Sequence, residues 1–95
     1  MRRVRFSALA LADLEDIAEY IGRDNQGAAR RAINRIEEII FSLCDFPDMG
    51  VPSEVAGARK LFVPGLPYKI VYQSTKKTAA IVILRVYHGA RNIRY

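Results

Sequence analysis

One cysteine, Cys44, and one histidine, His88, are all that 95 residues contain of these two types. A lone thiol forms no intramolecular disulfide, and one thiol with one imidazole is no zinc-ligand set. Neither a metal nor a cofactor is therefore expected, and any catalysis is expected to be metal-free. Long apolar runs are missing too, since nothing approaches the roughly 20 residues that a membrane span needs. The opening Met1-Arg2-Arg3-Val4-Arg5-Phe6-Ser7 does not lead into a signal-peptide apolar region, because Asp13, Glu15 and Asp16 interrupt it. A cytoplasmic protein with no membrane contact is the expectation.

The most informative absence is acid. All ten Asp and Glu lie in residues 1–54, beside seven Lys and Arg, for a net charge of −3. Residues 55–95 hold eight, namely Arg59, Lys60, Lys69, Lys76, Lys77, Arg85, Arg91 and Arg94, and no acid, for +8. Solvated surfaces ordinarily mix the two signs. A half with only one sign points to a polyanion or an acidic protein as partner, or to a basic surface kept for solubility.

What is present reads as one α+β domain spanning 1–95, since a chain of this length supports one hydrophobic core. Arg3-Val4-Arg5-Phe6-Ser7 alternates charged and apolar side chains, which predicts a short edge strand. Ser7 is placed to cap a helix with Leu11, Leu14, Ile17, Ala18 and Ile21 on one face, Asp13, Asp16 and Glu19 towards solvent, and a stop at Gly22. Asp24 or Asn25 caps a second helix carrying Ala29, Ala32, Ile33, Ile36, Ile39, Ile40 and Leu43. The short connection makes the two helices an antiparallel hairpin, and Ala28, Ala29 and Ala32 let them approach near the turn.

Pro47 and Gly50 end the helical region, and 45–57 reads as loop. Three strands follow as a meander: Lys60 to Val63, Tyr68 to Gln73 across the turn Pro64-Gly65-Leu66-Pro67, and Ala79 to Tyr87, whose Ile and Val content marks it as the central strand. The expected architecture is an antiparallel sheet, the N-terminal strand plus this meander, with the helix hairpin on one face and the other face open.

Alternation places Lys60, Lys69 and Arg85 as candidates for one concave basic surface, with Tyr68, Tyr72 and Tyr87 interleaved. Basic side chains bind phosphates and tyrosine rings stack on bases, although Tyr68 and Tyr72 read more simply as core. Metal-free RNA cleavage needs groups that activate the 2′-hydroxyl, stabilise the phosphorane and protonate the leaving oxygen, roles open to His, Lys, Arg and Tyr. The candidates are His88, Lys60, Arg85 and Arg91, with His88 the one side chain that ordinarily titrates near neutrality. A lone histidine at a strand end is more often structural.

Several segments, taken in order and spacing, carry a family resemblance. They are Phe6-Ser7, Ala12-Asp13-Leu14, Ile17-Ala18-Glu19-Tyr20-Ile21 and Ala28-Ala29 with Ile33 and Ile36, then Leu43, Pro47 and Gly50. Gly57-Ala58-Arg59-Lys60-Leu61, Pro67-Tyr68-Lys69-Ile70-Val71-Tyr72 and Ile83-Leu84-Arg85-Val86-Tyr87-His88-Gly89-Ala90-Arg91 complete the set. The chain resembles the RelE/ParE superfamily of bacterial type II toxin-antitoxin toxins, and is more similar to its ParE-like branch. The resemblance implies a growth inhibitor blocked by a cognate antitoxin, often through an acidic C-terminal segment, and acting on DNA gyrase.

It leaves two alternatives open: a ribosome-dependent mRNA interferase that cleaves messenger RNA, and a degenerate toxin that only binds. Phe62 stands where the RNA-cleaving branch would be expected to carry a further basic residue. The surface implied for target or antitoxin comprises Arg59, Lys60, Lys69, Arg85, Tyr87, His88 and Arg91.

Overall fold

The computed structural model describes residues 3–75, 77 and 79–89. Charged and apolar residues alternate in strand β1, Arg3–Phe6, whose Val4 and Phe6 are half-buried against the core. Helix α1, Ala8–Gly22, begins where the Ser7 hydroxyl accepts a hydrogen bond from the Ala10 amide at 3.0 Å. Asn25, rather than Asp24, caps helix α2, Gln26–Ser42, by accepting from the Ala28 amide at 2.9 Å. The strands that follow are β2, Val51–Pro52, β3, Arg59–Phe62, β4, Tyr68–Thr75, and β5, Ala80–His88.

The sheet order is β1-β5-β4-β3-β2. Three corrections to the sequence expectation follow. The sheet is not antiparallel throughout, because β1 pairs parallel to β5, from Arg3 against Ala80 to Phe6 against Ile83. Alternation within one strand reports a buried face and carries no information about the direction of its neighbour. Second, β4 is the middle strand; β5 lies between β4 and the edge strand β1. Third, Val51 and Pro52 within the expected loop pair with Lys60 and Arg59 as a further edge strand. Two residues are too few to show a period, and proline is tolerated there because an edge needs no amide on its outer side.

The helix hairpin covers one face of the sheet. In α1 the inward stripe is Ala10, Leu14, Ile17 and Ile21, whereas Leu11 is exposed. In α2, Ala29, Ala32, Ile36 and Ile40 are buried, and Leu43 closes the stripe. Ile36 and Ile40 are completely buried, and each such side chain contributes about 1.5–3 kcal/mol of apolar burial. A Cβ added at Gly22 would lie 3.8 Å from that of Ala29, so small residues do bring the helices together at the turn.

The turn from β3 to β4 places Pro64 and then Gly65 at its corners, with Gly65 at φ +80° and the Leu66 amide donating to the Val63 carbonyl at 3.2 Å. Pro followed by a residue of positive φ is the type II turn preference.

Ser7 has a second task. Its amide donates to the Ile83 carbonyl at 2.9 Å, and its hydroxyl donates to the Leu84 carbonyl at 2.7 Å, so the residue that starts α1 also continues the pairing of β1 along β5. Ser7→Ala removes a helix cap and an acceptor's partner together. It is expected to cost about 1–2 kcal/mol in denaturant unfolding, against a few tenths for a cap that glycine can replace.

Candidate functional site

The register brings Lys60, Lys69 and Arg85 onto one face, as alternation suggested. Lys60 on β3 pairs with Val71 on β4, which pairs with Arg85 on β5. The next row is Phe62, Lys69 and Tyr87. The face is not simply open. Residues 53–58 cross it as a strap, tied by the Ser53 amide to the Ala58 carbonyl at 3.0 Å and the Ala58 amide to the Val55 carbonyl at 3.0 Å. Val55 packs on a small second core of Ala58, Val71 and Tyr87, joined by Leu84.

Lys69 is only 7% exposed, and its ammonium lies 4.9 Å from the centroid of the Tyr87 ring, a cation–π arrangement. Lys60 extends to the strap, where its Nζ is 2.7 Å from Glu54 Oε1. The hydrogen bond from Lys60 is the largest of several causes that hold the Glu54 carboxyl below its ordinary range, and the charge of Lys69 is the least of the lowering ones. Phe62, at the end of Lys69's row, is 56% exposed.

Arg85 does not reach out from this face. Its Nε donates to Asp13 Oδ2 at 2.7 Å and its Nη2 to Oδ1 at 2.9 Å, a bidentate pair with side chains 17% and 12% exposed. The Val86 amide donates to the same Asp13 Oδ2 at 2.9 Å. Asp13 was expected to face solvent. It is instead the α1 side chain that takes over from β1 beyond Phe6, filling with a carboxylate the place of the next strand's carbonyl. A register shift at Val71/Tyr72 accompanies this, leaving Leu84 opposite no residue of β4. Such an irregularity re-aims side chains locally.

The other predicted residues are dispersed. Arg59 alternates with Lys60 and points to the opposite face, where its Nη1 donates to the Gly50 carbonyl at 2.8 Å and its Nη2 is 3.7 Å from Asp48. His88 pairs with Tyr68 on the helix side, the two rings edge to face at 5.9 Å. His88 and Arg85 share a groove of about 730 Å³ between α1 and the end of β5, also lined by Ile17, Tyr20 and Tyr68. Tyr68 and Tyr72 are core, and so is Tyr87. Arg91 lies outside the described residues.

Asp13, Tyr20 and Glu54 were missed as candidates. Asp13 sits just beside the apolar stripe at Leu14, a position from which a short carboxylate reaches the sheet, but only the fold reveals what it meets there. Glu54 is the last acid of the chain and the nearest to the acid-free half.

An antiparallel helix hairpin on one face of a five-stranded, mostly antiparallel sheet, with basic residues on the other, describes a class of small α+β proteins. Comparison with known proteins makes the assignment specific. Residues 4–93 match the model of the ParE toxin of the type II toxin-antitoxin system parDE, and the chain belongs to that family. It is therefore the toxin component of a type II toxin-antitoxin system. Toxin RelE2 of Caulobacter vibrioides is 33% identical over 91 residues, covering 96% of this chain and 99% of that protein.

Among solved structures, the chromosomal ParDE system of P. aeruginosa matches at 28% identity and a TM-score of 0.79, over 93% of this chain and 96% of that one. The intact RelBE toxin-antitoxin complex of E. coli matches at a TM-score of 0.71 over 96% and 100% of the two chains. At 12% identity the latter likeness is one of fold alone.

Proposed function

We propose that the chain is a growth inhibitor that acts on DNA gyrase by surface contact in the cytoplasm and is neutralised by a cognate antitoxin. The observation that favours contact over RNA cleavage is the dispersal of the ionisable groups that cleavage would need together. Lys69 is nearly buried, Arg85 is held by Asp13, and His88 lies beside Tyr68 on the helix side of the sheet. The acid-free half is complementary in charge to an acidic antitoxin segment, which agrees with the toxin-antitoxin complexes among the similar structures.

The second reading, ribosome-dependent cleavage of messenger RNA, draws on Lys60, Lys69 and Tyr87 sharing one face. Expression without antitoxin, followed by growth and by transcript integrity in a translating extract, separates the readings. The proposal expects growth arrest with intact transcripts. Cleaved transcripts would replace it with the second reading, and unimpaired growth would mark a degenerate toxin that only binds.

A further inference from the structure

Among the described residues, the basic face holds one cation whose surroundings are incomplete. An ammonium has three protons to donate, and burying it without acceptors is costly. Among the described residues, the Lys69 ammonium has the Tyr87 ring as its neighbour at 4.9 Å and meets no hydrogen-bond acceptor. Lys60 is its diagonal neighbour, since Lys60 pairs with Val71 and Phe62 with Lys69, and diagonal side chains across an antiparallel pair are roughly 7–8 Å apart, within reach of long residues. One carboxylate stands by them: Glu54, bonded to Lys60 at 2.7 Å and close enough to Lys69 to feel its charge.

We propose that Lys60 and Lys69 form an anion site whose resting occupant is Glu54, so that the face takes an external anionic oxygen group, a phosphate or a carboxylate, only by displacing the carboxylate of its own strap. Glu54 is suited to leave. Its side chain is 75% exposed, and exposed pairs are held weakly. The strap itself stays, because Val55 is packed on Val71 and Tyr87 and the Ser53 hydroxyl accepts from the Val55 amide at 3.0 Å. Rotation of one side chain frees the Lys60 ammonium and takes away the carboxylate that stands by Lys69.

A carboxylate tethered at Glu54 satisfies Lys60 and leaves Lys69 unbonded, whereas an anion with several oxygens, free to settle between them, serves both. The strap therefore lowers affinity for every acidic ligand and favours those that engage the two lysines together. This holds whether the target is gyrase or a ribosome.

The test uses the full chain with inorganic phosphate and, separately, acetate, read by the NMR shifts of the lysine side chains. Glu54→Gln is expected to bind roughly two- to fivefold more tightly than the parent chain, the range that one exposed ion pair sets, with both Lys60 and Lys69 shifting. A gain confined to phosphate identifies a phosphate site, and a gain confined to acetate a carboxylate site. In the Glu54→Gln background, Lys69→Met should abolish the gain and Lys69→Arg should keep it, which separates loss of charge from loss of packing. Equal affinity of the parent and Glu54→Gln, no binding by either, or a gain that survives Lys69→Met would overturn the proposal.

Discussion

Asp13→Ala is expected to melt roughly 10–25 °C below the parent chain, the shift that a loss of about 2–4 kcal/mol produces in a domain of this size. The carboxylate accepts three hydrogen bonds, two from Arg85 and one from the Val86 amide, at a site largely closed to water. Removing it takes two hydrogen bonds from a guanidinium and one from a backbone N–H at once, and the cost comes mostly from these lost bonds at buried donors. Asp13→Asn keeps an acceptor for one donor and should fall between Asp13→Ala and the parent. In a double-mutant cycle with Arg85→Ala, the second substitution should cost far less once the first is made. Melting of Asp13→Ala within about 3 °C of the parent would show that this junction between α1 and β5 contributes little.

The second large effect is expected at Gly50. Its amide donates to the Tyr72 hydroxyl at 2.9 Å, and that hydroxyl donates to the Pro47 carbonyl at 2.8 Å. The loop between α2 and β2 is thus pinned to the core through one phenol. A Cβ at position 50 would lie 2.7 Å from the Lys60 carbonyl oxygen and 2.8 Å from the Tyr72 hydroxyl, so backbone must move. Gly50→Ala is expected to cost about 1–3 kcal/mol as an overpacked site, and Tyr72→Phe about 1–3 kcal/mol through the unpaired amide and carbonyl. Because they break the same bond, the two losses should not add.

Burial raises the Tyr72 hydroxyl above its ordinary 10.0. The unfolded chain therefore gives up that proton first. The group's stabilisation is complete below pH 10 and declines above it, and the decline should be shallower in Tyr72→Phe when unfolding is followed between pH 9 and 11.

Both sites bear on how far the residues announced the structure. The helix hairpin could be read because its stripe repeats over many turns and its caps, Ser7 and Asn25, are side chains that bond their own helix. The meander could be read because Pro64 and Gly65 suit a type II turn and little else. Pairing direction and neighbour choice were not readable, since β1 and the two residues of β2 present only alternation or nothing. The same limit applied to the site. Alternation placed Lys60, Lys69 and Arg85 on one face correctly, but it could not show that Arg85 bends to Asp13, because that contact joins residues 72 apart in the chain through an irregularity between β4 and β5. Charge counting located the basic half and overlooked Glu54, which belongs to the acidic half by sequence and to the basic face by fold.

These contacts give the functional account its shape. On the proposed reading, a face on which one lysine is buried and another is held by the strap, with the nearby arginine turned to a helix, recognises a surface rather than passing protons. The most direct measurement is DNA supercoiling by purified gyrase with increasing amounts of the purified chain, and transcript integrity followed in a parallel translating extract. Inhibited supercoiling with intact transcripts is the predicted result. Undisturbed supercoiling with cleaved transcripts would contradict it.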